Sequence, residues 1–276
     1  MIISVVSGKG GAGKTTIATS FAQILQADYY DLDVDAPNGE YFLQPKNWQV
    51  RQVFQDQPVI DNVLCNACGL CTRECRFHAL YKILETVYLT ETLCHSCNLC
   101  REVCPQKAIT YCQVPIGTVR TGFSARTGAQ VVIGDLNIGS TRGTALIQDI
   151  VRTMKKDQRQ LVIDGAPGNS CAAVAVIKPA DLVMLVVEPT PFGIHDMLQT
   201  LSILKSMQKP MIVIANKSQG DEPLRRILEQ KGLQIAASIP LSQAYHQMLL
   251  DGQVLSQASP EVDRALRDLL PLEVTP

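Results

Sequence analysis

The chain has 276 residues, 46% of them hydrophobic, with 25 basic against 26 acidic side chains and a formal net charge of -1. That length carries one substantial α/β core plus a small extra unit, and a near-neutral balance without a dense Lys/Arg run leaves no electrostatic footprint for nucleic acid. No apolar stretch approaches the roughly 18 residues of a membrane span, and the N-terminus enters IISVV without a basic leader, so the expectation is a cytoplasmic protein with no stable membrane anchor.

In chain order, residues 2–6 read as a buried parallel-type strand and 15–26 carry helical periodicity, so the segment GKGGAGKT at 8–15 sits at a strand-to-helix turn. It matches G-x-x-x-x-G-K-[ST]. Main-chain N–H groups of Gly8, Lys9, Gly10, Gly11, Ala12 and Gly13 can curl around phosphates, Lys14 reaches the β/γ-phosphates, and Thr15 is placed to ligand Mg²⁺, with Thr16 beside it. Residues 29–33 form a second strand ending in acids. Residues 36–60 show no clear pattern, and the cysteine segments follow. Residues 114–137 read as a hairpin turning near 126–128. Regular alternation then returns: helix 142–156, strand 160–164, helix 171–178, strand 181–187, helix 194–207, strand 211–215, helix 221–231, strand 234–239 and two C-terminal helices. The expected fold is a doubly wound, mostly parallel α/β sheet of the P-loop NTPase type, built from residues 1–58 and 113–276 around an insert at 59–112.

Eight of the ten cysteines lie in two runs. Cys65, Cys68, Cys71 and Cys75 follow C-x2-C-x2-C-x3-C, and Cys94, Cys97, Cys100 and Cys104 repeat it 29 residues later, followed by Pro105. Such spacing in a long chain without a leader favours thiolate metal ligation over disulfides. Zinc sites pair C-x2-C with a second, distant pair, and three cysteines at successive x2 spacing crowd a tetrahedral ion.

Lys9 carries the first resemblance. KGGxGKT is similar to the deviant phosphate loop of the MinD/ParA/Mrp and nitrogenase-iron-protein class, which implies that Lys9 reaches the nucleotide of a partner protomer in an ATP-bound homodimer. In DLDVDAPN the same resemblance makes Asp33 the acid that places Mg²⁺ and the attacking water, with Asp35 as a second candidate. It makes Asp164 of LVIDGAPGN the Walker B carboxylate. Gly168 stands where the nitrogenase iron protein has a further acid. Asn216 of IVIANKS, with Pro240 and Leu241 of IPLS, matches the adenine pocket of the class.

The cysteine runs resemble the bacterial two-cluster ferredoxins, in which the fourth cysteine of each run crosses to the other cluster. The resemblance implies one 4Fe-4S cluster on Cys65, Cys68, Cys71 and Cys104, a second on Cys94, Cys97, Cys100 and Cys75, and an α+β ferredoxin-like insert. Arg76 replaces the usual proline, placing a cation beside the first run. With both ligand sets complete, His78 and His95 read as surface residues. Taken together, the chain resembles MinD-superfamily ATPases with an inserted ferredoxin domain, and the implied cofactors are ATP, Mg²⁺ and two 4Fe-4S clusters. Three functions compete: an ATPase coupling nucleotide state to electron transfer, an iron-sulfur or metallocofactor assembly factor, and a redox-sensing positioning ATPase. The implied partners are a second copy of the chain and a redox or metallocofactor protein.

Cys171 follows Asp164 by seven residues, the offset of a shared cluster ligand in the nitrogenase iron protein; set against that, its Ala- and Val-rich neighbours read as core. Cys112 is the other cysteine outside the runs. The amphipathic C-terminal segment from 260 onward is too acidic to suit anionic lipid, so docking on the protein's own core is expected.

Overall fold

The computed structural model describes residues 1–154 and 160–269. The elements run β1 (Ile2–Ser7), α1 (Lys14–Leu25), β2 (Asp28–Leu32), α2 (Gly39–Leu43), β3 (Pro45–Ile60), α3 (Leu70–Glu74), β4 (Leu80–Ile83), β5 (Thr86–Leu89), α4 (Leu99–Glu102), β6 (Ile109–Ser124) and β7 (Gln130–Leu136). Then come α5 (Gly143–Thr153), β8 (Leu161–Gly165), α6 (Cys171–Ile177), β9 (Leu182–Val187), α7 (Pro191–Ser206), β10 (Met211–Ser218), α8 (Glu222–Glu229), β11 (Ile235–Pro240), α9 (Gln243–Leu250) and α10 (Pro260–Arg267). Among the described residues, nine strands make one sheet in the order β11-β10-β9-β1-β8-β2-β7-β6-β3, and β4 pairs with β5 in a separate sheet.

The strands from β11 to β7 pair in parallel. β1, β8 and β9 are buried along their whole length, the pattern of strands covered on both faces by helices. The chain divides into two compact units, the first made of 1–50, 119–135 and 147–276, the second of 51–118 and 136–146. The first unit holds the main core, in which Phe21, Tyr29, Ile133, Val162 and Met184 are buried together. Val262 and Leu266 of α10 join that core, so the C-terminal helix docks on its own protein as expected; the end of that segment, 270–276, and the end of the expected helix 142–156 lie outside the described residues.

The stretch without a sequence pattern, 36–60, contains the 16-residue strand β3. Much of β3 is exposed, so burial imposes no alternation on its sequence, and its Gln-rich composition hides it. The hairpin between β6 and β7 turns at 125–129, where Gly128 N–H donates to the Ser124 carbonyl (2.9 Å) and Ser124 N–H to the Ala129 carbonyl (2.8 Å).

In the second unit, β4 and β5 form an antiparallel hairpin with Leu80 opposite Leu89 and Lys82 opposite Val87. Its core is small: Cys71, Leu80, Val87 and Ile109, backed by partly buried Ile60, Cys65 and Cys75. The doubled cysteine motif is also a doubled backbone. Left-handed conformations at Ala67, Gly69 and His78 recur 29 residues later at Ser96, Asn98 and Lys107.

Two kinds of helix start recur. α6, α7, α9 and α10 open from an extended Ser170, Thr190, Ser242 and Ser259, each accepting a main-chain N–H. α1, α3 and α4 open from left-handed Gly13, Gly69 and Asn98 with no side-chain cap. Their first N–H groups are left for another acceptor.

Candidate functional site

The loop between β1 and α1 is held by its glycines and by β10. A Cβ at residue 8 would lie 2.3 Å from the main-chain carbon of Asp196, and Gly13 has φ +92° with a Cβ position only 2.1 Å from Asn216 Nδ2. Asn216 is buried and donates from Nδ2 to the Ala12 carbonyl (2.9 Å), while Lys217 Nζ donates to the Gly11 carbonyl (2.7 Å). Asn216, a candidate for the adenine edge, therefore braces the phosphate loop in this state. Leu241 N–H donates to the Ser218 carbonyl (2.9 Å), and Pro240 pairs with Ser218, so Pro240 and Leu241 lie beside the end of β10, both exposed.

Lys14 is 5% exposed, its Nζ 3.9 Å from Asp33 Oδ2. Lys9, 30% exposed, is engaged within its own protomer by Glu188, Nζ to Oε2 3.1 Å. Asp35 is exposed at the following turn, where Ala36 N–H donates to the Asp33 carbonyl (3.0 Å). Thr16 lies on the first turn of α1, its carbonyl accepting from the Ser20 hydroxyl (2.7 Å).

Asp164, at the end of β8, is fully buried. Its Oδ2 accepts from the Tyr29 hydroxyl (3.1 Å), and the Thr15 hydroxyl faces the same carboxylate. Its Oδ1 is buried with no hydrogen-bond partner among the described residues. Burial pushes the Asp164 carboxyl up to about 6, against the opposing pull of Thr15 and of Lys14. A buried orphan carboxylate oxygen beside the phosphate-loop threonine suits a hydrated Mg²⁺, which would supply both the missing partner and the countercharge. Burial also raises Asp33, opposed by Lys14.

Sequence reasoning missed Asp31 and Tyr29. Asp31 stands opposite Asp164 in the β2–β8 register and is buried. Its Oδ2 accepts from Asn38 N–H (3.1 Å) and Gly39 N–H (2.8 Å), and its Oδ1 from Asp33 N–H (3.3 Å), so it shapes the segment that carries Asp33. Burial and the neighbouring Asp164 charge hold the Asp31 carboxyl well above its ordinary value. The signal was present, a buried strand carrying an acid two positions before Asp33, but only the register showed which way it faced.

The second unit contains two cysteine-lined cavities. One is bordered by Cys65, Cys68, Cys71 and Cys104. The other is bordered by Cys75, Cys94, Cys97 and Cys100. Each draws three cysteines from one run and the fourth from the other. Ala108 N–H donates to Cys104 Sγ (3.4 Å), and Tyr111 Oη lies 3.8 Å from Cys100 Sγ. Burial raises the Cys71 and Cys100 thiols. All ten cysteines are free thiols. Among the described residues no three His, Cys, Asp or Glu side chains converge on a single metal ion. What the two pockets share is their lining, four thiols each, with one thiol contributed by the other run. The left-handed residues before α3 and α4 turn main-chain N–H groups into the kind of concave nest that accepts anions, iron-sulfur clusters included.

His95 stacks on Phe77 (centroids 3.8 Å apart) at the border of the second cavity, and His78 is exposed in the turn after Cys75. Arg76 is exposed to solvent. Cys171 is exposed at the start of α6, which corrects its reading as core, and Cys112 is exposed on β6.

Comparison with known proteins places this geometry. Residues 3–255 match the family model described as the CobQ/CobB/MinD/ParA nucleotide binding domain. The chain is 32% identical over 222 residues to the Methanocaldococcus jannaschii protein MJ0578 (79% of this chain, 78% of that protein) and 26% identical over 223 residues to MJ0579 of the same organism (79% and 80%). Among solved structures it is similar to the septum site-determining protein MinD with Mg-ADP from Pyrococcus horikoshii OT3, with a TM-score of 0.61 and 14% identity over 98% of this chain and 96% of that one. It is also similar to the ATP complex of a Cyanothece McdA variant, with a TM-score of 0.58 and 16% identity over 97% and 94%. No helix among the described residues is long and apolar enough to cross a membrane. The fold, the phosphate loop and the family model agree: this chain belongs to the CobQ/CobB/MinD/ParA family of P-loop ATPases.

Proposed function

We propose that the chain is an ATP-operated switch of the MinD/ParA kind, in which two protomers join around MgATP and separate after hydrolysis. One observation carries this reading: the uncapped start of α1, Lys14, and the Thr15–Asp164 pair with its orphan oxygen form a matched set for a magnesium nucleotide. In it Lys14 neutralises the β/γ-phosphates, Thr15 and Asp164 hold Mg²⁺, Asp33 positions the attacking water, and Asn216, Pro240 and Leu241 border the base. Support for the nucleotide comes from the similar structures, solved with Mg-ADP and ATP. The likeness to a cell division ATPase and to a plasmid partition protein favours an output in which nucleotide state governs the docking or positioning of a partner.

Lys9 is the test of dimerisation. In the free protomer Glu188 holds it in cis, and in the proposed dimer it leaves that carboxylate for the partner's nucleotide. Lys9→Ala is expected to retain nucleotide binding and lose ATP-dependent dimerisation in sedimentation velocity. Dimerisation equal to that of the parent would remove the cross-subunit role.

The paired cavities support a second element. Cys65, Cys68, Cys71 and Cys104 would hold one 4Fe-4S cluster, and Cys75, Cys94, Cys97 and Cys100 another. Such clusters supply one-electron chemistry when bound. With them the switch would act on a redox or metallocofactor partner, either delivering electrons or sensing redox state. Anaerobic preparation is expected to yield about eight iron and eight sulfide per chain, four for each cubane. Bound zinc without charge-transfer absorption would remove this element and leave the ATPase reading intact.

A further inference from the structure

Arg142 lies in the connection between β7 and α5, and that connection belongs to the second unit. Asn137 ties the connection down through N–H to the Ile116 carbonyl (2.9 Å) and Nδ2 to the Pro115 carbonyl (3.0 Å), and the Thr141 hydroxyl donates to the Thr92 carbonyl. Arg142 is 8% exposed. It donates from Nε to the Cys94 carbonyl (3.1 Å) and from one terminal nitrogen to the Glu91 carbonyl (3.3 Å) and Gln57 Oε1 (3.1 Å). All three acceptors are uncharged. A guanidinium keeps its charge at any accessible pH, and burying one is costly unless an anion lies nearby. The first run is entered differently. There the exposed Asp61 carboxylate accepts from Val63 N–H (2.8 Å) and Leu64 N–H (3.2 Å). The two halves of a doubled motif thus begin at side chains of opposite charge.

We propose that Arg142 is a positioning residue for the second cysteine run: it clamps the main chain at Glu91 and Cys94 and fixes a positive charge there, making the two clusters unequal in potential. The proposal rests on the iron-sulfur reading above. A cluster with four thiolate ligands is anionic and supplies the charge that the Arg142 acceptors lack. The buried cation stabilises the reduced, more negative form, so the cluster of Cys75, Cys94, Cys97 and Cys100 takes up an electron more readily than it would beside a neutral side chain. Arg76, although adjacent to Cys75, is exposed, and water screens it.

The test uses the full-length protein prepared anaerobically, with iron and sulfide counted and both clusters titrated by potentiometric EPR. In R142M one signal, the one lost in Cys97→Ser, is expected to fall about tenfold in its reduction equilibrium, about 59 mV for one electron, with the other unmoved. R142K, which keeps the charge, is expected to recover most of the shift. Loss of about four of eight irons in R142M, regained in R142K, also supports the clamp. Unchanged potentials at full iron content, equal shifts in both clusters, or loss of all iron overturn it. A parent protein without iron defeats the iron-sulfur reading instead, a separate result.

Discussion

The phosphate loop and the cysteine runs use the same backbone device in different settings. In both, a left-handed residue opens a helix without a side-chain cap and leaves main-chain N–H groups for an anion: Gly13 before α1, Gly69 before α3, Asn98 before α4. The phosphate loop hangs from β1, a fully buried strand in a large core. The cysteine runs hang from a core of four buried side chains, one of them the thiol of Cys71, while Val63 and Leu84 are 94% and 86% exposed. The first site thus rests on a large core, and the second on a small one that includes a cysteine of its own motif.

The largest expected effect breaks that contrast if it fails. On the proposed iron-sulfur reading, removing iron, or substituting Cys71→Ser, is expected to lower amide protection across residues 65–109 by about 100-fold or more while β1, β8 and β9 keep theirs, because metal binding in small units is coupled to folding. Hydrogen exchange measures both regions in one sample, and equal protection in both would end the distinction.

Next in size is Lys14→Ala. Losing about two charge-assisted hydrogen bonds, roughly 1.5–3 kcal/mol each, is expected to weaken MgATP binding by about 100-fold or more in calorimetry with iron content unchanged. An accompanying loss of iron would show that the two sites share their stability.

A pH series separates them further. Burial lifts Asp164 from an ordinary value of 3.8 to about 6. With the folded value above the unfolded one, its contribution to stability is fully present below the unfolded value and is lost as pH rises through about 6. Mg²⁺ needs the deprotonated form. Lowering the pH from about 7 to 5 is therefore expected to weaken Mg²⁺-dependent nucleotide binding while this group's share of metal-free stability grows. Thermal melts with and without Mg²⁺ read both, and Asp164→Asn is expected to flatten the response.

Tyr29→Phe is the smallest. It deletes the 3.1 Å bond to Asp164 and frees that carboxylate to turn, at about 1 kcal/mol, so the Mg²⁺ requirement is expected to rise severalfold with little change in the fold. A Mg²⁺ titration identical to the parent's would mean that Thr15 alone orients Asp164.

What the sequence determined by itself was local. GKGGAGKT and the doubled C-x2-C-x2-C-x3-C are chemical devices within one turn of chain, so spacing carries their geometry; the buried strands β1, β8 and β9 show as apolar runs because both faces are covered. The tertiary structure decided what depends on register and long-range return. β3 carries no pattern because much of it faces water. Asp31 joins Asp164 only through strand pairing, and Tyr29 reaches it only because β2 lies beside β8. Arg142 reaches Cys94, 48 residues earlier in the chain, because its connection folds back into the second unit. Propensity and spacing extend over a few residues, and contacts like these are set by the closing of a sheet and the packing of a loop.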